Sequence, residues 1–203
     1  PTCLVTALTM AAAGSAGRTQ EELGKALQVA PGQPAPIDAA NASLGLLAKA
    51  MTGNKDAAEY SMANGLFVAR DAKLRRAFAA GLKTNLEARV EAVDFASRST
   101  LARLNVWYAQ ATRGMIPSML DHVAADTRML LASAVAFVAP WLNPFSQTKT
   151  TTRPFHTVGG RTRSVPMMEQ TDDEFLYLDA QGFQAIRLPY AGKHYELIVA
   201  LSS

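Results

Sequence analysis

The spacing of apolar positions changes along this chain, helical in its first 51 residues and strand-like after residue 150. Residues 4–13 (LVTALTMAAA) are small and apolar on all sides, which predicts a buried helix ended by Gly14 and Gly17. Thr19-Gln20-Glu21-Glu22 has the form of a capping box, with Leu23 and Leu27 following at helical spacing, so a second helix is expected over 19–28. Residues 30–36 hold three prolines and a glycine and read as a loop. A third helix over 37–51 places Leu44, Leu47 and Ala48 on one face, with Thr52-Gly53-Asn54 closing it.

The period then alternates between the two types. Residues 61–69 (SMANGLFVA) suit a largely buried strand. Residues 73–85 carry Leu74, Phe78 and Leu82 at intervals of four, a helix, and 88–95 alternate as a strand. The clearest amphipathic helix is 99–111, with Leu101, Leu104, Tyr108 and Ala111 on one face and Gly114 stopping it. Residues 127–138 (TRMLLASAVAFV) predict a central strand buried on both sides. Later strands are expected over 151–157, 161–168, 175–178, 183–188 and 195–201, the first two joined by a turn at Gly159-Gly160. The result is an α+β chain, helix-rich first and strand-rich second, read as one domain over residues 1–203.

Composition narrows the function more than the fold. With 203 residues, 49% of them hydrophobic and 18% charged, the chain can bury a large core. The net charge of +3 comes from scattered cations with no run longer than Arg75-Arg76, which argues against nucleic acid as a partner. Cys3 is the only cysteine, so neither an intrachain disulfide nor a thiolate metal cluster can form. The longest apolar run, 129–138, is far short of the ~20 residues a membrane helix needs.

Candidate chemistry is sparse. His122, His156 and His194 lie far apart, with no ligand-spaced pair, and read as surface or packing residues. No G-x-S-x-G elbow occurs, and Gly159-Gly160 leads into no helix that would cradle a phosphate. Asp172-Asp173-Glu174 reads as a solvated turn, Met167-Met168 as core filler, and Trp141 as a large core or sheet-end anchor. No metal, cofactor or enzymatic activity is expected. Pro1-Thr2-Cys3 reads as the interior of a longer chain, so the lack of a leader says nothing about secretion.

Several short motifs, taken in order, resemble the serpins. They are Ala7-Leu8-Thr9-Met10 with Gly14, Gly17, Thr19 and Glu22; Ala63-Asn64-Gly65-Leu66-Phe67; and Asp94-Phe95. Asn105-Val106-Trp107 follows, then Thr112-Arg113-Gly114-Met115-Ile116, Asp126-Thr127, Trp141 with Pro144-Phe145, Phe155-His156, Val165-Pro166-Met167-Met168 and Leu188-Pro189-Tyr190. The resemblance covers nearly the whole chain. It implies a mixed main sheet with further antiparallel strands, and inhibition of serine, sometimes cysteine, proteases without catalysis. An exposed reactive loop is cleaved and inserts into the main sheet as a new strand, serpins being the standard example of such insertion.

The same resemblance assigns roles to residues. Cys3, Thr6 and Ser133 would form the region where the sheet opens, the family usually having Ser in place of Cys3 and Asn in place of Ser133. Trp141 would anchor the top of the sheet. Leu101, Leu104, Asn105, Trp107, Tyr108, Thr112 and Gly114 would belong to the helix lying across it. The chain is expected to lack the family's first helix and the C-terminal part, so that the reactive bond lies outside it. A heparin-type site is disfavoured, because the helix over 37–51 offers only Lys49. The resemblance implies an extracellular or periplasmic protein, with the cytoplasm left open, and the alternative is a non-inhibitory carrier, chaperone or storage serpin.

Overall fold

The structure, a computed structural model, describes residues 2–29, 36–53, 58–171 and 175–202. The chain divides into two compact units, one of residues 1–53 and 59–137, the other of 54–58 and 138–203.

The first unit opens on helix α1 (Thr2–Gly14), which overturns the expectation of a chain without its first helix. Its buried threonines are compatible with burial because their hydroxyls turn back on their own helix. Thr6 Oγ1 donates to Thr2 O (2.9 Å), and Thr9 Oγ1 to Val5 O (3.1 Å) and Thr6 O (2.9 Å). Helix α2 (Gly17–Ala26) starts two residues before the predicted capping box, with Ala16 at its cap and no side-chain capping bond. Thr19 therefore lies inside the first turn, and Glu22 pairs with Arg18 at 2.7 Å instead of reaching back. Helix α3 (Pro36–Gly53) and helix α4 (Arg76–Leu86) pack very closely, since a Cβ on Gly45 would lie 1.8 Å from Asn85 O.

Strands β1 (Glu59–Ala69), β2 (Arg89–Val93) and β3 (Met129–Val138) form one sheet in the order β2-β1-β3. Strand β2 runs parallel to β1, in register from Gly65 opposite Arg89 to Ala69 opposite Val93, with α4 supplying the crossover that a parallel pair needs. Ala69 N bonds to Arg128 O (3.0 Å) at one end of the β1–β3 pair, and Ser133 bonds to Asn64 further along, so β3 runs antiparallel to β1. Both kinds of pairing thus occur in the sheet.

Strand β1 explains why the sheet has a core on each face. Leu66 and Val68 point to one cluster with Met10, Leu82, Leu86 and Ala88, while Phe67 and Ala69 point to another with Val93, Phe95, Leu104, Tyr108, Ala132 and Ala134. The strand buried on both faces is therefore β1, and the prediction of a central strand over 127–138 is corrected. In the β2-β1-β3 sheet β3 is an edge strand, buried only at Ala132 and Ala134, with Met129 48% and Val138 44% exposed. Its unbroken apolar run resembles a two-sided strand because composition reports hydrophobicity without reporting neighbours.

The second unit holds a hairpin of β4 (Thr151–His156) and β5 (Thr162–Met167), whose turn uses Gly160 at φ +71°. It also holds an antiparallel meander of β6 (Leu176–Ala180), β7 (Phe183–Pro189) and β8 (Glu196–Ser202). Most of their apolar side chains are exposed, among them Phe155, Leu178, Ile198 and Leu201. Met168, expected in the core, is exposed as well. The expected acidic turn at 172–174 and the body of the proline-rich loop, 30–35, lie outside the described residues.

Candidate functional site at the main sheet

Helix α5 (Arg98–Ala111) lies across one face of the main sheet. Its sequence dictates this, since Leu104 and Tyr108 are four residues apart and fall on one stripe. They are 3% and 2% exposed, packed against Phe67, Val93, Phe95, Ala132 and Ala134, while Leu101 is half-buried. Burial pushes the Tyr108 phenol above its ordinary pKa. Trp107, also half-buried, meets the edge of Phe67 with ring centroids 5.3 Å apart. Gly65 on β1 makes room for this contact, because a Cβ there would sit 2.7 Å from the Phe67 ring and 3.0 Å from Trp107.

Charged pairs along and just beyond α5, and a cap at its C-terminal end, hold the helix in place. Arg103 reaches Glu91 of β2 at 2.8 Å, Arg89 also bonds Glu91 (2.9 Å from Nε), and Arg113 pairs with Glu59 of β1. Burial raises the Glu91 pKa but the two arginines outweigh it, so the carboxyl is held below the usual glutamate value. Thr112 closes the helix by donating Oγ1 to Tyr108 O (2.8 Å) and accepting Ile116 N (3.0 Å). Gly114, at φ +80°, sends its N–H five residues back to Ala109 O (2.7 Å), a Schellman-type stop.

The chain after α5 returns along the helix. Asn105 binds it at three points: Nδ2 donates to Leu120 O (2.8 Å), and Oδ1 accepts Met119 N (3.0 Å) and Leu120 N (2.9 Å). Ile116, Leu120 and Val123 pack, half-buried, on the cluster that includes Ala132 and Ala134 of β3. The segment then enters β3 beside an ion pair of Arg128 with Asp71 at 2.9 Å, whose hydrogen bond holds the Asp71 carboxyl below its ordinary value.

Of the residues expected where the sheet opens, Ser133 has a partner that sequence reasoning did not choose. Its hydroxyl donates to Asn64 Oδ1 (2.9 Å), and Asn64 Nδ2 donates to Leu86 O (3.1 Å). Asn64 thus joins β1, β3 and the end of α4. Cys3 is half-buried in the first turn of α1, and Thr6, one turn on, is fully buried. The visible signal for Asn64 was a lone amide inside an apolar strand, since a buried amide must find partners. Gly65 and Gly45 left no comparable signal, because a close approach involves atoms from elsewhere in the chain.

In the second unit, Trp141 stacks on Tyr190 with centroids 4.4 Å apart and planes 10° apart, and meets the edge of Phe145 at 6.0 Å. A bridge pairs the Trp141 and Tyr190 backbones, with Leu142 N bonded to Pro189 O (3.0 Å) and Ala191 N to Pro140 O (2.8 Å). Trp141 therefore anchors the segment leaving residue 138 to the end of β7. Among the described residues no three His, Cys, Asp or Glu side chains converge to hold a metal, and no helix is long and apolar enough to cross a membrane. The first unit thus presents a three-stranded sheet with β3 at its margin and a helix with its trailing segment covering one face.

Comparison with known proteins agrees with this architecture. A family model described as Serpin (serine protease inhibitor) matches residues 1–203, from the first residue of the opening helical region to the last. Plasminogen activator inhibitor 1 of Sus scrofa is 34% identical over 210 residues, covering 98% of this chain and 50% of its own. Thyroxine-binding globulin in complex with thyroxine superposes with a TM-score of 0.84 at 25% identity, covering 100% of this chain and 56% of that one. Tengpin, a thermophilic serpin solved in its latent state, gives 0.82 at 25%, with 100% and 54% coverage. The chain spans about half the length of the curated relatives it matches.

Proposed function

Because the chain belongs to the serpin family, we propose that it carries the sheet-and-helix portion of a serine protease inhibitor that traps its target by inserting a cleaved reactive loop. The partner is a serine protease, with cysteine proteases as a second class, engaged through a loop lying outside these 203 residues. The action is non-catalytic. The observation that carries this reading is the β2-β1-β3 sheet with α5 across one face, in a chain that matches the serpin family over residues 1–203. The backbone hydrogen-bonding groups of a sheet are what an inserted strand pairs with, which is the step proposed. Cys3, Thr6 and Ser133 are proposed as the region where the sheet parts, and Trp141 as the anchor at its top. The working compartment is proposed to be extracellular or periplasmic. No heparin-type role is proposed for α3, whose one cation, Lys49, is paired with Glu87 at 3.4 Å.

The test uses the protein at the length of its relatives, mixed with a panel of serine proteases. A complex stable to detergent and heat is expected, together with its absence when residues 1–203 are used alone. The second reading, a non-inhibitory carrier, is favoured by the likeness to thyroxine-binding globulin in complex with thyroxine. Cleavage of the loop by every protease tested, with no stable complex formed, would decide for that reading.

A further inference from the structure

We propose that the groove bounded by the end of α1, one face of α2 and the first turn of α3 is a binding site for a small amphipathic amine, an aromatic or alkyl body carrying one ammonium group. The site lies within the first unit and goes beyond the insertion mechanism proposed above, on which it does not depend. The groove holds about 650 Å³, room for a small organic molecule rather than for a few waters. Apolar groups line it: Ala13 of α1, Gly24 of α2, Val29 just beyond that helix, and the buried Ile37 of α3. Two bonds hold these walls in place. Gln20 donates Nε2 to Ala12 O (3.3 Å), tying α2 to α1, and Val29 N returns to Gly24 O (3.0 Å) to close the end of α2.

Gly24 keeps the groove open. A glycine inside a helix weakens it relative to alanine, and one common return is a close contact that only glycine permits. Gly45 of α3 makes such a contact against Asn85, but a Cβ on Gly24 would meet no atom within 4 Å. The space beside Gly24 is thus claimed by no described residue, and Glu21, Lys25 and Gln28, on the same face of α2, edge it with polar groups. Asp38 lines it from α3. Glu21, Lys25 and Asp38 are exposed and form no ion pair with any other described residue. Two carboxylates against one ammonium leave the mouth with a net charge of −1, which suits a cation and disfavours a carboxylate or phosphate. Exposed charges attract weakly, so the apolar lining supplies the affinity and the charge supplies the selectivity.

The experiment titrates the protein at full family length with three probes of one shape: naphthylmethylamine, naphthalenemethanol and naphthoate. Amide shifts in the NMR spectrum of isotope-labelled protein report both affinity and place. Saturating shifts are expected at Gly24 and Ile37. The amine should bind about threefold tighter than the alcohol, the margin an exposed charge pair supplies, and the naphthoate should bind weakest. Gly24→Leu fills the groove and should weaken the amine at least about tenfold. Its thermal midpoint should hold or rise, leucine being the better helix former. Gly81→Leu, at another open helical glycine, in α4 and outside the groove, should leave the affinity unchanged. Equal affinity for the three probes, shifts that gather elsewhere, or a folded Gly24→Leu that binds like the parent would each overturn the proposal. Glu21→Gln combined with Asp38→Asn changes little volume and should remove the amine's advantage over the alcohol. An advantage that survives this double change also overturns the proposal, and the double variant decides the question should Gly24→Leu fail to fold. No readout involves a protease or an inserted strand, so failure here leaves the inhibitor reading intact.

Discussion

Truncation of Asn64 tests the polar junction at the centre of the main sheet. The Asn64 side chain is nearly enclosed, donates to Leu86 O (3.1 Å) and accepts from Ser133 Oγ (2.9 Å). Each such bond contributes about 0.5–1.5 kcal/mol net, and a buried group left unpaired costs about 1–3 kcal/mol. Ser133 is half-buried and water can partly replace its partner, whereas the Leu86 carbonyl lies in the interior. Asn64→Ala should therefore destabilise by about 2–4 kcal/mol, and Ser133→Ala by about 1 kcal/mol. The double variant should fall short of the sum by about 1 kcal/mol, the energy of the shared bond. Asn64→Asp should be the most damaging, because a carboxylate would face the Leu86 carbonyl in a buried site. Urea unfolding followed by tryptophan fluorescence reads all four proteins, Trp107 lying against the Phe67 ring of the same strand. Strict additivity, within about 0.3 kcal/mol, would refute the Asn64–Ser133 bond.

Other predictions address packing, backbone and charge. Gly45→Ala would drive a methyl to 1.8 Å from Asn85 O, a backbone atom, so α3 and α4 must part; a loss of at least about 3 kcal/mol in urea unfolding is expected. Gly114→Ala meets no neighbour but must adopt φ +80°, so a smaller loss of about 1 kcal/mol is expected by the same measurement. Glu91 has a folded pKa below its unfolded value, so its contribution is full above about pH 4.3 and is lost as pH falls through the folded value. Glu91→Gln should therefore flatten the acid limb of a stability–pH curve while changing its shape little above pH 6.

The helices and strands were largely legible because period is a local property. The stripe of Leu104 and Tyr108 and the buried run of β1 fell where their spacing placed them. Misreadings arose where the deciding partner was remote. The Thr19 capping box failed because α2 began earlier and Arg18 captured Glu22. The run at 129–138 reads as central, and among the described residues β3 pairs in the sheet with β1 alone. Asn105 was named as part of α5, but its three bonds to the returning chain depend on a loop path that periodicity does not encode. Ser133 was likewise named, while its bond to Asn64 joins strands far apart in sequence.

The threonines of α1 have a consequence for motion. Thr6 and Thr9 direct their hydroxyl hydrogens to carbonyls of their own helix, while Met10 shares an apolar cluster with Leu66 and Val68. A contact of that kind resists separation, since exposing it to water costs free energy, but it imposes little resistance to sideways displacement. Sideways displacement of β1 over α1 would break no bond from these two hydroxyls, which are committed to their own helix. The strand insertion proposed above is served by a support that grips in one direction and slips in the other.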